Sequence, residues 1–163
     1  MDTIGFSKHD HHACIADCVA AVENSCKLAG LQLTPVRRRV LQILLTEHRA
    51  IGAYEILDRL REDGQNAQPP AAYRALDFLV GNGFAHRIER LNAFIACAHP
   101  KESHSPAFMI CRVCDGVAET HAAPSRGILG RAAKEAGFLV ERTVLEIEGV
   151  CPNCQKQEIA DAG

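Results

Sequence analysis

The chain has 163 residues, a formal net charge of −2 and 47% hydrophobic residues, enough for one ordinary domain or two small ones with packed cores. Only 5% of the residues are aromatic and Trp is absent, which argues against a binding surface built on aromatic stacking. The amino terminus lacks the apolar core of a signal peptide, and no apolar run approaches the roughly 18 residues that span a bilayer. We therefore predict a soluble, cytoplasmic protein with no membrane partner.

Charge is unevenly distributed along the chain. Residues 27–90 contain ten Lys or Arg and seven Asp or Glu, whereas residues 91–163 contain seven and nine. A modestly basic segment followed by a mildly acidic one suits phosphate contacts in the first half and a different task in the second.

The first half has the pattern of helices followed by a hairpin. Thr34 is a good N-cap and Pro35 suits the first position of a helix. Apolar residues at three- and four-residue steps predict further helices over residues 13–30, 53–63 and 71–82. Two short strand-like runs around a turn at residues 89–92 then predict a hairpin. The last three helices and the hairpin form a winged helix-turn-helix, which is a DNA-binding fold.

The second half has the pattern of a small α/β module. Strands are predicted over residues 107–111, 117–120 and 138–150, and a helix over residues 125–136. The last strand has apolar residues on both faces, and a homodimer interface would bury both. The predicted fold class is therefore α+β, with an N-terminal winged helix-turn-helix DNA-binding domain and a small C-terminal α/β dimerisation domain. The predicted boundaries are a flexible His-rich tail at 1–12, the DNA-binding domain at 13–97, a hinge at 98–106, the dimerisation domain at 107–155 and a tail at 156–163.

Two Cys-x-x-Cys pairs, 36 residues apart, bracket the second module. Because a reducing cytosol does not favour disulfides, these pairs indicate metal ligands more than a redox pair or unconnected core cysteines. Each short loop can deliver two sulfurs at about 2.3 Å to one face of a tetrahedral ion. We predict a structural zinc site at Cys111, Cys114, Cys151 and Cys154. Four thiolates leave no open coordination position, so the function must lie elsewhere.

A second set of residues has metal-binding chemistry without a compact motif. His86, Cys97, His104 and Glu119 are each unremarkable alone, but together they offer two nitrogens, a sulfur and a carboxylate, which is a complete tetrahedral set. An ion held there would join the two modules and bind more reversibly than one held by four thiolates, as a sensor requires. Alternative or extra ligands are His48, His99 and His121. The amino-terminal His9, Asp10, His11, His12, Cys14 and Cys18 form either an additional metal site or only a tail and a helix face.

The run AAYRALDFLVGNGFAHRIE resembles the recognition helix and wing of the ferric uptake regulator family, and LTPVRRRVLQIL is similar to the preceding Thr-Pro-x-Arg helix of that family. The elements FIAC, SHSPAFMICRVC, GVAE and CPNC follow in order, so the resemblance covers about residues 15–155. It implies a homodimeric, metal-dependent repressor of a pseudo-palindromic double-stranded operator, with two zinc ions per chain. In that family the four cysteines match the structural ligands, and His86, Cys97, His104 and Glu119 match the regulatory site.

The resemblance also implies three DNA-contact residues, Tyr73, Arg74 and Arg37. From its place after the helix-turn, Arg74 can reach a guanine edge or a phosphate, and Tyr73 a thymine methyl or a phosphate. The alternative is a solvated Arg and a half-buried Tyr. Phosphate contacts alone are predicted for Arg38, Arg39, Arg87 and Arg90.

The choice of metal depends on the ligand set. Many iron-sensing relatives have His-x-His ahead of the first cysteine pair, whereas this chain has His104-Ser105-Pro106, and the soft ligand Cys97 favours zinc. We therefore expect a zinc-sensing regulator of zinc uptake genes. The alternatives are an iron-, manganese- or peroxide-sensing member of the family, or a zinc-ribbon adaptor that binds protein. A zinc deaminase requires His-x-Glu, which the sequence lacks, so we predict no catalytic residues and no small-molecule substrate.

Overall fold

The computed structural model of the protein describes residues 6, 11–47, 49–65, 67–100, 104–122 and 127–161. His48, His9, Asp10 and the side chains of His11 and His12 lie outside the described residues, as does most of the predicted amino-terminal tail. The helices within these ranges are α1 (His11–Leu28), α2 (Pro35–Leu45), α3 (Ala53–Glu62), α4 (Pro69–Gly81), α5 (Ile128–Glu135) and α6 (Pro152–Asp161). The strands are β1 (Ala85–Ile88), β2 (Ala93–Ala96), β3 (Ser105–Cys111), β4 (Val117–Ala122) and β5 (Leu145–Gly149).

Helices α1 to α4 pack around one apolar core, with α2 in contact with each of the other three. The predicted caps are confirmed at α2, where Thr34 Oγ1 accepts a hydrogen bond from the N–H of Arg37 at 3.4 Å and Pro35 occupies the first turn. Gly30 has a φ of +66°, which lets the chain turn sharply after α1. The four predicted helices are therefore present, with their bounds shifted by one or two residues.

The predicted hairpin is also confirmed. Strands β1 and β2 pair antiparallel, with His86 opposite Ile95, and Ile51 exchanges two backbone hydrogen bonds with Phe94 to extend the small sheet. Gly83, with a φ of +74°, separates α4 from the hairpin. Helices α2 to α4 and this hairpin make the winged helix-turn-helix.

The second module is built on a three-stranded sheet in the order β4-β3-β5. Strand β3 pairs antiparallel with β4 and parallel with β5, so the chain crosses from β4 to β5 through α5. The predicted strand over residues 138–150 is wrong in length: β5 begins only at Leu145, opposite Ala107, and residues 138–144 pair with no strand among the described residues. Phe138 and Leu139 in that stretch are 68% and 80% exposed.

Helix α6 was not expected from the sequence. It begins at Pro152 inside the second cysteine pair, so residues 156–161 are helical although a tail was predicted from residue 156 onward. Proline suits the first turn of a helix because it has no backbone N–H to leave unpaired there.

The two modules share a buried apolar cluster. Ile88 and Ile95 of the hairpin pack with Phe108 and Ile110 of β3. A backbone bridge between Arg49 and Gly116 adds a further connection. The hairpin is therefore packed directly on the C-terminal sheet. Within the described residues, no helix is long and apolar enough to cross a membrane.

Candidate metal centres and nucleic-acid face

The four predicted cysteine ligands converge at one end of the C-terminal sheet. Strands β3 and β5 are parallel neighbours, with Cys111 opposite Gly149, so both cysteine pairs emerge at the same edge. The four Sγ atoms lie within 4.8 Å of one another, and those of Cys114 and Cys151 are 3.9 Å apart. All four thiols are free.

Backbone N–H groups prepare this cluster to hold a cation. The Cys111 Sγ accepts from the N–H of Cys151 at 3.3 Å, and the Cys151 Sγ accepts from the N–H of Cys154 at 3.5 Å. Although burial opposes ionisation, the backbone N–H groups of Cys151, Cys114 and Val113 lower the pKa of Cys111 to about 6. Burial raises the pKa of Cys114, and the hydrogen bond with Cys151 raises that of Cys154, so a bound cation would displace a proton from each. Four cysteines grouped in this way are the donor set of a closed zinc site.

The second predicted set also converges, although its members come from four parts of the chain. The ligand atoms of His86 on β1, Cys97 after β2, His104 before β3 and Glu119 on β4 all lie within 4.8 Å of one another. His104 Nε2 is 2.6 Å from Glu119 Oε1, and Cys97 Sγ is 3.6 Å from His104 Nε2. The arrangement can hold one tetrahedral ion between the hairpin and the sheet.

Glu119 is buried and charged at the centre of this set. It is 2% exposed, and among the described residues it is the one charged side chain in the core. Burial alone would raise its pKa, but His86, the Ala98 N–H at 2.8 Å and His104 lower that pKa to about 2. His86 Nε2 lies 3.3 Å from Glu119 Oε1, and this buried nitrogen has no hydrogen-bond partner among the described residues, so its ligand atom meets those of the other three at one place. Such convergence is typical of metal ligands.

The Cys97 thiol holds its proton, whereas the Glu119 carboxyl has lost its own. Burial and the nearby negative charge of Glu119 raise the pKa of Cys97 well above its usual range. The thiol is therefore protonated in the metal-free protein, and a bound cation would displace that proton.

The alternative ligands lie next to this cluster but outside the four. The His99 and His121 rings are 4.6 Å apart, and the His121 ring is 5.1 Å from that of His104. The His99 N–H donates to Cys97 Sγ at 3.4 Å, so His99 supports a ligand.

From α1, the Cys18 thiol contacts the Cys97 carbonyl at 3.9 Å, and burial raises the pKa of Cys18 to about 11. Cys18 and Cys97 are 79 positions apart in the sequence, so no local pattern could predict this contact.

Two of the three predicted DNA-contact residues are exposed, whereas the third makes contacts within the protein. Tyr73 and Arg74 are exposed on α4, the second helix of the helix-turn-helix. Arg37 instead places its guanidinium 3.8 Å from the centre of the Phe78 ring and donates to the Gln32 carbonyl at 2.6 Å. These contacts hold α2 against α4, so a DNA contact by Arg37 stays a prediction.

The four arginines assigned to phosphate have carboxylate partners within the chain. Arg38 pairs with Glu23, Arg39 with Asp63, Arg87 with Glu89 and Arg90 with Glu148. The pairs are largely exposed, where exchange of a carboxylate for a phosphate costs little. Their role at DNA also stays a prediction.

A winged helix-turn-helix joined through a mixed His, Cys and Glu cluster to a four-cysteine module defines a metal-responsive DNA-binding regulator. The sequence model of the ferric uptake regulator family matches residues 28–148. The chain belongs to that family.

Relatives within the family refine the comparison. The chain is 36% identical over 143 residues to the zinc uptake regulation protein of Escherichia coli (strain K12), covering 87% of this chain and 84% of that protein. Its structure is similar to that of a zinc uptake regulator complexed with zinc and DNA, with a TM-score of 0.84, 36% identity and coverage of 89% of this chain and 97% of the other. It is also similar to the crystal structure of holo XcZur, with a TM-score of 0.77, 42% identity and coverage of 85% and 96%.

Proposed function

We propose that this protein is a zinc-responsive transcriptional repressor that binds operator DNA as a homodimer and controls zinc uptake genes in the cytoplasm. The proposal is supported by the similarity to a zinc uptake regulation protein and to a regulator structure that holds zinc and DNA. Repression requires only binding, so neither metal cluster needs to be catalytic.

One observation carries the proposal: the cluster of His86, Cys97, His104 and Glu119 joins the DNA-binding module to the sheet of the other module. His86 belongs to the hairpin next to α4, whereas Glu119 belongs to β4. When bound, zinc would supply a tetrahedral linkage among these four side chains. Occupancy would then favour one orientation of the recognition helices, because an ion shifts a conformational equilibrium by its preference for one state.

The four-cysteine cluster takes a different role in this proposal. Cys111, Cys114, Cys151 and Cys154 all belong to one module, so an ion there holds β3 to the start of α6 and leaves module orientation unchanged. We assign it to a structural zinc, which brings the expected content to two zinc ions per chain.

The donor set favours zinc over the other metals sensed in the family. Cys97 and two histidines are soft and borderline ligands, and Glu119 supplies the single carboxylate. Iron and manganese sites of this kind use more oxygen ligands and a higher coordination number. An iron-, manganese- or peroxide-responsive role is therefore the second candidate.

The dimer and the DNA contacts follow from exposed surfaces. Ile128, Leu129, Phe138, Leu139 and Ile147 leave apolar side chains exposed on the C-terminal module, and a second copy would cover them. We propose the boundaries 13–97 for the DNA-binding domain and 107–155 for the dimerisation domain. Each Tyr73 and Arg74 would then enter one half-site of a pseudo-palindromic operator, with half-sites about one helical turn apart.

The test is DNA binding at buffered zinc. We expect a labelled A·T-rich palindromic promoter fragment to bind about 5- to 150-fold more tightly when zinc fills the regulatory site than when a chelator empties it. Zinc per chain, measured in the same samples, shows that the four-cysteine site stays filled. Equal DNA affinity in both conditions would reject the metal switch, and recovery with iron but not zinc would select the second candidate.

A further inference from the structure

The turn at the tip of the hairpin is held by a carboxylate from the other module. Glu146 of β5 accepts hydrogen bonds from two consecutive backbone N–H groups: Oε1 from Glu89 at 2.6 Å and Oε2 from Arg90 at 3.0 Å. Both donors lie in the turn between β1 and β2, beyond the paired residues of the hairpin. One ionised side chain therefore fixes the backbone direction of the turn, and such charge-assisted bonds are stronger than neutral ones.

Glu146 and the metal cluster share one rung of the C-terminal sheet. Phe108 of β3 is opposite Glu119 on β4 and opposite Glu146 on β5. Residues directly opposite one another in a sheet project from the same face, so both carboxylates face the hairpin. Phe108 between them is 3% exposed, and its ring centre is 5.4 Å from that of His86.

The hairpin is consequently attached to this rung at two points. Near the base of the turn, His86 meets Glu119, and at the tip the backbone of Glu89 and Arg90 meets Glu146. His86 and Glu89 are three positions apart along extended chain, which is a distance of about 10 Å. Apolar packing of Ile88 and Ile95 already holds the hairpin on the sheet but is non-directional, whereas two polar attachments at this spacing define the orientation of the hairpin.

We propose that Glu146 is a positioning residue of the switch, which docks the tip of the wing on the dimerisation module so that the metal cluster and Glu146 together orient the wing for DNA. Its consequence for DNA binding rests on the proposed function, but the attachment itself does not. The neighbouring side-chain pairs, Arg90 with Glu148 and Arg142 with Glu89, are exposed and leave the backbone unconstrained.

Glu148 offers a matched control because it is a carboxylate two residues away on the same strand that pairs with the Arg90 side chain alone. Electrostatics predicts the same sign for both positions, since removing either negative charge beside a DNA-binding surface strengthens attraction to phosphate. If Glu146 instead positions the wing, its removal should weaken DNA binding. The two effects are therefore separable by the direction of the change.

The experiment uses the full-length, zinc-loaded protein and its Glu146→Ala, Glu146→Gln and Glu148→Ala variants. Without DNA, we expect amide exchange at Glu89 and Arg90 to become about tenfold faster in Glu146→Ala and to stay unchanged in Glu148→Ala. Glu146→Gln, which keeps the shape and one acceptor oxygen, should fall between the wild type and Glu146→Ala. All variants should retain the zinc content of the wild type.

In the DNA assay we expect Glu146→Ala to bind the palindromic fragment roughly three- to tenfold more weakly at saturating zinc. Glu148→Ala should bind equally well or more tightly. Unchanged amide exchange in both Glu146 variants, or DNA affinity that rises in Glu146→Ala as in Glu148→Ala, would overturn the inference. If the Ala variant does not fold, the Gln variant decides by the same criteria. Loss of zinc dependence in the wild type would instead reject the proposed function, while the exchange data still judge the attachment.

Discussion

His104 Nε2 lies 2.6 Å from Glu119 Oε1, which ties the segment ahead of β3 to the neighbouring strand β4 at the buried centre of the mixed cluster. The carboxylate is ionised there, because its pKa is held at about 2 despite burial. Glu119 is therefore ready for a cation at neutral pH, whereas the Cys97 thiol must first lose a proton.

Replacing Cys97 should empty the mixed metal site and leave the four-cysteine site filled. We expect Cys97→Ser to retain one zinc per chain at the four cysteines and to lose zinc-dependent DNA binding, because serine is a poor zinc ligand in place of a thiolate. Metal analysis and DNA titration of the same preparations measure both effects. Cys18→Ser is the matched control, since Cys18 is half-buried beside Cys97 and outside the four-ligand group. Loss of both zinc ions from Cys97→Ser would show that the sites are misassigned.

Zinc affinity at the mixed cluster should depend on pH through Cys97. Burial raises the pKa of this thiol, so the metal-free protein holds its proton at neutral pH and binding releases it. Affinity should therefore rise with pH, by about tenfold per pH unit for the one proton that the thiol releases. Competition with a chelator of known pH dependence measures this slope. In Cys97→Ala, which has no thiol proton to release, the remaining ligands should bind zinc more weakly and with a smaller slope, and a slope equal to that of the wild type would contradict the assignment.

Removing a ligand from the four-cysteine cluster should unfold the second module. Structural zinc contributes about 10–16 kcal/mol in zinc-finger peptides, which is comparable to or larger than the total stability of about 5–15 kcal/mol typical of a domain. We expect Cys111→Ser to lose this zinc, the order of α6 and the dimer. Circular dichroism, limited proteolysis and sedimentation report these losses, and Cys14→Ser should show none of them. A dimeric, protease-resistant Cys111→Ser protein would mean that the apolar packing of the module suffices without metal.

Arg74 should contribute to operator affinity and not to stability. It is exposed on α4, so Arg74→Ala leaves the core unchanged. If its guanidinium reads a base edge, affinity falls by about 1–3 kcal/mol and discrimination relaxes at one operator position. Binding to a panel of single-base operator variants measures both quantities. A uniform loss across the panel would assign Arg74 to a phosphate, and no loss would favour an adaptor that does not bind DNA.

Arg37 should behave in the reverse way. Its guanidinium stacks on Phe78 and donates to the Gln32 carbonyl, so Arg37→Ala should lower the free energy of unfolding by about 1–2 kcal/mol. Thermal unfolding of the metal-loaded protein measures the change. Arg38→Ala is the control, because its exposed pair with Glu23 should contribute less than about 1 kcal/mol. Unchanged stability with reduced DNA affinity would instead identify Arg37 as a DNA contact.

Local patterns predicted most of the secondary structure. The helix α2 is defined by Thr34, Pro35 and a buried stripe, all within one segment, and the structure has the helix there. The errors lie where strand pairing or the surrounding structure determines the backbone conformation. Residues 138–144 have strand-like composition but pair with no strand in the part of the chain that the structure describes, and Pro152 begins a helix although it lies within the second cysteine pair.

The sequence by itself determined the kinds of ligand and the pairing of the cysteines, because Cys-x-x-Cys spacing places two sulfurs together wherever the loop folds. It could suggest His86, Cys97, His104 and Glu119 only as a chemically complete set. Their convergence depends on packing the hairpin against the sheet, a contact between segments distant in sequence that leaves no local pattern. The same packing decided that Glu146 meets the turn of the hairpin, 57 residues earlier in the chain.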